Sequence, residues 1–125
     1  MTFWKSRRSK YSAQPTKLDG YHFPSKLEAS VYQTLKLMQM AKEIEIEKVQ
    51  DQLYLSAAKI GYRVDFRVKN LLTNKIEYHE AKGVETSRFM MIKRLWKVFG
   101  VAPLVIWKGH WKNPKISEVI PGGAE

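Results

Sequence analysis

Two segments decide how this chain folds: YRVDFRV, residues 62–68, and IEYHEAK, residues 76–82. Both are rich in the β-branched and aromatic residues that are typical of strands, and a short polar loop joins them, so they are predicted to pair as a hairpin. That pairing would place Asp65 beside Glu80. Side chains two apart on a strand share a face, so Lys82 would emerge next to Glu80. Two carboxylates and an ammonium on one face suit hydrolysis of a phosphodiester with a divalent metal.

Each of these residues also has a plainer interpretation. Asp65 stands between Arg63 and Arg67, so it could belong to a solvated face opposite the apolar side chains of Tyr62, Val64, Phe66 and Val68. Glu80 and Lys82 could be an ordinary ion pair at the edge of a sheet. The three together, directly before a glycine that leaves room for a phosphate, favour a catalytic site.

The segments around this hairpin predict an α/β domain. A helix should begin after Ser25, a good N-cap, and run to about residue 41 or 42. Strands are predicted at residues 43–49 and 53–57, a second helix spans 86–99 and stops at Gly100, and a buried-type strand covers 104–107. A strand, a crossover helix and a strand imply a parallel pair, hence a central mixed sheet of about four or five strands flanked by helices.

The ordered set of Glu28 on a helix, Asp65 on a strand, and Glu80-Ala81-Lys82 on the next strand resembles the PD-(D/E)XK nuclease superfamily. The stretch from Asp19 to Ala29 is similar to the opening of small phage endonucleases related to the phage endonuclease I type of Holliday-junction resolvase. The resemblance covers roughly residues 18–108. It implies a restriction-endonuclease-like core. One departure is Val64, which stands where many members have a proline.

The resemblance also implies roles for these residues. Asp65, Glu80 and the backbone carbonyl of Ala81 would bind Mg²⁺, for which Mn²⁺ would substitute, and Glu28 would complete the metal site directly or through water. Lys82 would orient or deprotonate the attacking water. On position alone, Glu28 could equally be the N3 residue of a helix capping box, three residues after the N-cap Ser25. Branched DNA such as a Holliday junction is the substrate that the family implies, and two symmetric cuts imply a homodimer.

Composition limits the class of protein. The chain has 125 residues, enough for one domain with a core, and 44% of them are hydrophobic. Its 22 lysines and arginines against 12 acidic residues give a formal charge of +10, which favours a polyanionic partner. It has no cysteine, no apolar run long enough for a bilayer and no secretory signal, so a cytoplasmic protein is expected, in the host if a phage encodes it.

The chain is predicted to have three parts. Residues 1–17 form a basic arm, residues 18–112 the nuclease domain, and residues 113–125 a weakly structured tail. Candidate DNA-binding residues lie in the arm and on the second helix: Lys5, Arg7, Arg8, Lys10, Arg88, Lys93, Arg94 and Lys97. The helical cations could instead form an ordinary solvated face.

The segment Trp107–Lys112 interleaves aromatic side chains with cations, and it could bind DNA or close a subunit interface. His79 should point away from Glu80 and be structural, while His22 and His110 have no support as ligands. Two other functions remain open. One is a nuclease of the same fold with nicking, restriction-like or single-strand specificity, and the other is a non-catalytic basic nucleic-acid-binding module.

Overall fold

The described part of the protein, residues 15–123 of a computed structural model, contains a five-stranded sheet, two helices and a separate two-stranded hairpin. In chain order the elements are β1 (Thr16–Leu18), β2 (Tyr21–Phe23), α1 (Lys26–Met40), β3 (Ile44–Tyr54), β4 (Gly61–Asn70), β5 (Lys75–Ala81), α2 (Ser87–Phe99), β6 (Leu104–Lys108) and β7 (Lys115–Ile120). No helix in this part is long and apolar enough to cross a membrane.

The large sheet is mixed, which confirms the predicted fold class. Its strand order is β3-β4-β5-β6-β7, and every neighbouring pair is antiparallel except β5 and β6, which run parallel. α2 is the crossover between the two parallel strands, as the succession of strand, helix and strand predicts. The architecture is consistent with a restriction-endonuclease-like core.

The two helices cover opposite faces of the sheet, as alternate side chains of β6 show. Leu104 and Ile106 pack in a core cluster with Phe89, Ile92 and Trp96 of α2. Val105 and Trp107 pack in a second cluster, which contains Leu27, Val31 and Leu35 of α1. Because β6 is buried on both faces, it is a continuous apolar run, as expected of a central strand beside a parallel neighbour.

One long strand replaces the two that were predicted at residues 43–49 and 53–57. β3 runs unbroken over Ile44–Tyr54, and residues beyond Leu55 turn back toward β4. Two backbone irregularities make this strand difficult to predict from the sequence. The register with β4 shifts between Ile46 and Lys48, and Gln50 adopts a left-handed φ of 59°. Each interrupts the alternation of side chains on which the sequence prediction rests.

The prediction of a weakly structured tail at residues 113–125 is wrong for the central part of this segment. Lys115–Ile120 forms β7, which pairs antiparallel with β6 and places Ile120 in the α2 cluster. Most of its side chains are exposed, so the strand lacks the apolar pattern that identifies strands in sequence. At the other end of the chain, the predicted arm lies outside the described residues except for residues 15–17, of which Thr16 and Lys17 belong to β1.

Candidate active site

The four side chains singled out by the sequence line one cleft. This cleft has a volume of about 740 Å³, and Glu28, Asp65, Glu80 and Lys82 lie in its wall. They come from three elements: α1, β4, and β5 with the residue that follows it. The cleft also includes Gly83, where an added Cβ would meet no protein atom within 4 Å, so the space beside this glycine belongs to the cleft. The convergence that the hairpin predicts is therefore present in the structure.

Asp65 and Glu80 meet where the β4–β5 ladder ends. The backbone pairing stops at Phe66 and His79. Beyond it, the Asp65 N–H donates to Glu80 Oε1 at 3.1 Å, and the Ala81 N–H donates to Asp65 Oδ2 at 2.8 Å. Side-chain carboxylates thus replace backbone carbonyls as the acceptors, and these hydrogen bonds hold the two acids side by side.

The alternative interpretation, in which Asp65 belongs to a solvated face, does not hold. Asp65 is only 9% exposed, and its neighbours Val64 and Phe66 are fully buried. Val64 packs in the α2 cluster whereas Phe66 packs in the α1 cluster, so the strict alternation expected of β4 breaks at Asp65. The flanking Arg67 pairs instead with Glu47 at 3.0 Å, on the side of β3.

Lys82 supplies the cation of the site. Its Nζ lies 3.5 Å from Glu80 Oε2 and 4.5 Å from the centre of the Phe89 ring. The ammonium therefore lies against the ring of Phe89 on α2, and Lys82 belongs to the cleft wall. The expectation that Glu80 and Lys82 emerge together is confirmed.

Glu28 is held in the cleft by the start of α1. Ser25 is the N-cap, and its Oγ accepts the Glu28 backbone N–H at 3.1 Å, so half of the capping box is formed. The Glu28 carboxyl is 5% exposed, and its Oε2 is buried with no hydrogen-bond partner among the described residues. A buried carboxylate oxygen without a donor is costly, which indicates that this atom serves something other than the helix cap.

Burial raises the pKa of all three acids, and neighbouring carboxylates add to this effect at Glu28 and Asp65. Loss of hydration and the charge of Glu80 raise the pKa of Glu28 to about 7. Burial, then the charges of Glu80 and Glu28, raise the pKa of Asp65 well above its usual range. Burial also raises the pKa of Glu80, although the Lys82 charge acts in the opposite direction. Three mutually repelling buried carboxyls are a setting that a bound cation would stabilise.

The donor set fits Mg²⁺. The described residues contain no group of three or more His, Asp and Glu side chains arranged to hold a metal. Mg²⁺ does not require one, since it usually binds through one or two carboxylates and keeps several waters. Asp65 and Glu80 supply the two carboxylates, and the partnerless Oε2 of Glu28 is an acceptor suited to a metal-bound water. Ala81 belongs to the same cleft wall, where its carbonyl could add a further oxygen.

Replacing Glu28 with glutamine should change how stability depends on pH. The folded pKa of about 7 lies above the ordinary value of 4.5, so the native state holds a proton through this range and loses stability as pH rises across it. In the metal-free protein, Glu28→Gln should remove the part of the decline that Glu28 causes, a gain on the order of 3 kcal/mol above pH 7. Urea unfolding between pH 4 and 8, with a metal chelator, measures it.

Glu77→Gln provides the control for that titration. The hydrogen bond from His79 lowers the pKa of Glu77, so this carboxyl contributes stability that is lost as pH falls, the opposite sign. The Glu77 variant should therefore keep the decline toward pH 7. A Glu28→Gln protein with the same pH profile as the parent would contradict the buried, raised-pKa state of Glu28.

The predicted DNA-binding cations of α2 have unequal surroundings. Lys93 already forms ion pairs with Glu85 at 2.8 Å and Glu118 at 2.9 Å, and Arg88 donates to the Gly61 carbonyl at 2.7 Å. Arg94 and Lys97 are exposed. Lys5, Arg7, Arg8 and Lys10 lie outside the described residues, so their role stays a prediction.

The sequence alone missed several residues of the cleft wall. Gln50, Arg63 and Lys26 all line it, as does Trp111, which belongs to the segment that was expected to bind DNA or close a subunit interface. The left-handed backbone at Gln50 has no sequence signal, and Arg63 was interpreted only as an ion-pair partner of Asp65. The position of Trp111 depends on how the β6–β7 loop folds over α1, a contact between distant parts of the chain. His79 is buried and structural, as predicted: its Nδ1 accepts the Trp107 indole N–H at 2.8 Å.

Comparison with known proteins identifies a family but no function. The family described as "Protein of unknown function (DUF1064)" matches residues 8–115, most of the chain. No curated protein and no solved structure matches the sequence.

Proposed function

The chain belongs to the DUF1064 family, and from the geometry of its cleft we propose that it is a metal-dependent endodeoxyribonuclease. One observation carries this proposal: buried Asp65 and Glu80 and the ammonium of Lys82 meet in the wall of a cleft of about 740 Å³. A non-catalytic nucleic-acid-binding module has no need to bury two repelling carboxylates beside its binding surface. The formal charge of +10 supports a polyanionic substrate.

The acids are the proposed metal ligands. Asp65, Glu80 and the Ala81 carbonyl would hold Mg²⁺ or Mn²⁺, with Glu28 as a direct or water-mediated ligand. When bound, the metal would supply Lewis acidity and lower the pKa of a coordinated water. The hydrogen bonds from the Ala81 and Asp65 N–H groups fix both carboxylates before any ligand arrives. Preorganised ligands need no rearrangement during the reaction.

Lys82 is the proposed electrostatic and proton-handling group. Its Nζ lies 3.5 Å from Glu80 Oε2, and the Lys82 side chain is more exposed than that of Glu80, so an attacking water and a phosphate oxygen would meet beside the ammonium. An ammonium there would orient the water and offset negative charge that develops on the phosphate. It would act as a point charge rather than as a metal ligand.

Branched DNA is the proposed substrate and a homodimer the proposed assembly, both on the resemblance to junction resolvases. A cytoplasmic location, in the host if a phage encodes the chain, remains a prediction. Nicking, restriction-like and single-strand specificities are the alternative outcomes of a substrate survey.

The decisive assay measures cleavage of four-way, forked, single-stranded and linear duplex DNA by the purified full chain. With Mg²⁺ we expect cuts in the four-way or forked substrate first, and no cleavage with a chelator. Cleavage that favours another substrate would revise the specificity but keep the nuclease. If the protein binds these DNAs but cuts none of them with Mg²⁺ or Mn²⁺, the nuclease proposal is wrong and the protein is a non-catalytic binding module.

DNA affinity should fall steeply with salt, and Arg94 and Lys97 should account for part of the slope. Each phosphate contact adds about 0.9 to the slope of log K against log salt, so the Arg94→Gln/Lys97→Gln protein should lose up to about 1.8. Lys93 should add less because Glu85 and Glu118 already neutralise it. Titrations of branched DNA at several salt concentrations, with Glu80→Gln protein in Ca²⁺, measure the slope.

The exposed Lys75 is a suitable control for this series. It begins β5, at the opposite end of the strand from the cleft, so Lys75→Gln should leave the slope unchanged. Deleting residues 1–10 should flatten the slope by at most ~4 if the arm cations contact phosphates. A shallow slope in the full chain would mean that its positive charge serves a partner other than DNA.

A further inference from the structure

A partly exposed tryptophan lines the cleft. Trp111 lines the same cleft as Asp65 and Lys82 and is 40% exposed, whereas Trp96 and Trp107 are 0% and 5% exposed. Burying tryptophan stabilises a fold, so leaving this large ring in solvent forgoes a packing contribution. The ring is therefore available to a ligand that enters the cleft.

The loop that carries Trp111 is held in place by its own hydrogen bonds. It joins β6 to β7, turns at Gly109 with a φ of 103°, and closes with a bond from the Asn113 N–H to the His110 carbonyl at 2.9 Å. The hydroxyl of Ser30 on α1 donates to the Trp111 carbonyl. The backbone of Trp111 is thus tied to α1, the helix that carries Glu28.

Two lysines lie against the indole. Lys26 Nζ is 4.8 Å and Lys112 Nζ 5.5 Å from the Trp111 ring. Lys26 occupies the first turn of α1, where the helix dipole disfavours a cation, so its position is not explained by helix stability. At an exposed site a cation–π contact is weaker than the stacking of a nucleobase on an aromatic ring. An incoming base would therefore displace the flexible ammonium groups, which could then pair with flanking phosphates.

We propose that Trp111 is a stacking platform for a single unpaired nucleobase, flanked by Lys26 and Lys112 as phosphate contacts. The proposal rests on the proposed nuclease function and specifies its substrate: DNA with an unpaired or extruded nucleotide beside the phosphate that enters the acid cluster. Every base has an aromatic face, so the platform selects structure rather than sequence. A protein interface is the weaker alternative, because lysine is depleted in interface cores whereas two lysines surround this ring.

The test compares binding to two duplexes of equal length, one fully paired and one with a single unpaired 2-aminopurine nucleotide. All proteins are full chains that carry Glu80→Gln, so that binding is measured without cleavage. We expect the parent to quench the 2-aminopurine fluorescence and to prefer the duplex with the unpaired base. Trp111→Ala should lose the quenching and roughly tenfold or more in affinity for that duplex, with paired-duplex affinity within about twofold.

Two further variants separate stacking from damage to the fold. Trp111→Phe retains a smaller ring and should keep most of the preference for the duplex with the unpaired base. The difference in tryptophan emission between the parent and this variant gives the signal of Trp111, separate from that of the three other tryptophans. Tyr54→Ala removes an exposed aromatic ring that does not line the cleft and should behave as the parent. Equal midpoints of thermal unfolding for all variants would show that the substitutions at Trp111 have not altered the core.

The outcomes distinguish this proposal from the nuclease proposal. If the parent binds both duplexes but Trp111→Ala weakens neither, or weakens both equally, the platform is wrong and the nuclease proposal stands. A change of oligomeric state in Trp111→Ala, measured by sedimentation, would assign the ring to a subunit interface and overturn the platform. If the parent binds no DNA, both proposals fail together.

Discussion

Replacing Asp65 with asparagine should reduce DNA cleavage by about 10³-fold or more, because a metal contributes several kcal/mol to the transition state and each 1.36 kcal/mol is a factor of ten. The fold should survive. Asparagine has the same shape as aspartate, and its side-chain carbonyl can still accept the Ala81 N–H. The substitution also removes a buried carboxyl group whose pKa is raised by burial and by the neighbouring acids. Single-turnover cleavage with saturating Mg²⁺ and urea unfolding at pH 8 measure the two effects.

Glu80→Gln should behave in the same way, since its amide oxygen can accept the Asp65 N–H. Asp51→Asn is the matched control. Asp51 is a second buried aspartate, 7% exposed and 3.3 Å from Lys48, but it does not line the cleft. That variant should cleave at the parental rate and lose at most about 1 kcal/mol of stability, the usual upper value for a partly exposed ion pair.

If the Asp65→Asn protein cleaved DNA at the parental rate, Asp65 would not be a ligand of the metal. Loss of activity in Asp51→Asn as well would indicate that any buried aspartate is needed for folding. Cleavage loss in both Asp65→Asn and Glu80→Gln, with DNA binding retained, is the combination that the proposed site requires.

Local sequence patterns were sufficient for most of the framework. The N-caps Ser25 and Thr86 mark the starts of both helices, because each has a side-chain oxygen that accepts a backbone N–H of the first turn. The spacing of Glu80 and Lys82 on one strand predicts that they are neighbours, and the hairpin brings Asp65 to them. These relations depend on residues close in sequence or on a single strand pairing.

What the sequence could not predict depends on contacts between distant segments. Nothing local distinguishes Asp65, flanked by two arginines, from a surface residue; its burial arises because β4 and β5 separate between two packed helices. β7 is an edge strand with exposed side chains, so its pairing with β6 leaves no apolar pattern. The place of Trp111 is set by its link to Ser30 on α1, 81 residues earlier in the chain.

The second large effect is expected at Lys82. Lys82→Met removes the ammonium, which lies 4.5 Å from the centre of the Phe89 ring, but keeps an unbranched side chain of similar size, so the helix packing beside the cleft should be unchanged. Cleavage should fall by about 10² to 10⁴, the range for groups that handle a proton or stabilise charge in the transition state. The Mg²⁺ concentration needed for half-maximal rate should change little, because lysine is not a ligand of the metal.

Lys48→Met is the control for this substitution. Lys48 pairs with buried Asp51 at 3.3 Å, much as Lys82 pairs with buried Glu80 at 3.5 Å, but Lys48 does not line the cleft. Single-turnover rates across a Mg²⁺ series should show a lower plateau for Lys82→Met alone. A plateau equal to that of the parent, reached only at higher Mg²⁺, would mean that Lys82 supports metal binding and not the chemical step. Because each lysine pairs with a buried carboxylate but only Lys82 lines the cleft, this comparison tests the location of the reaction as well as the role of the residue.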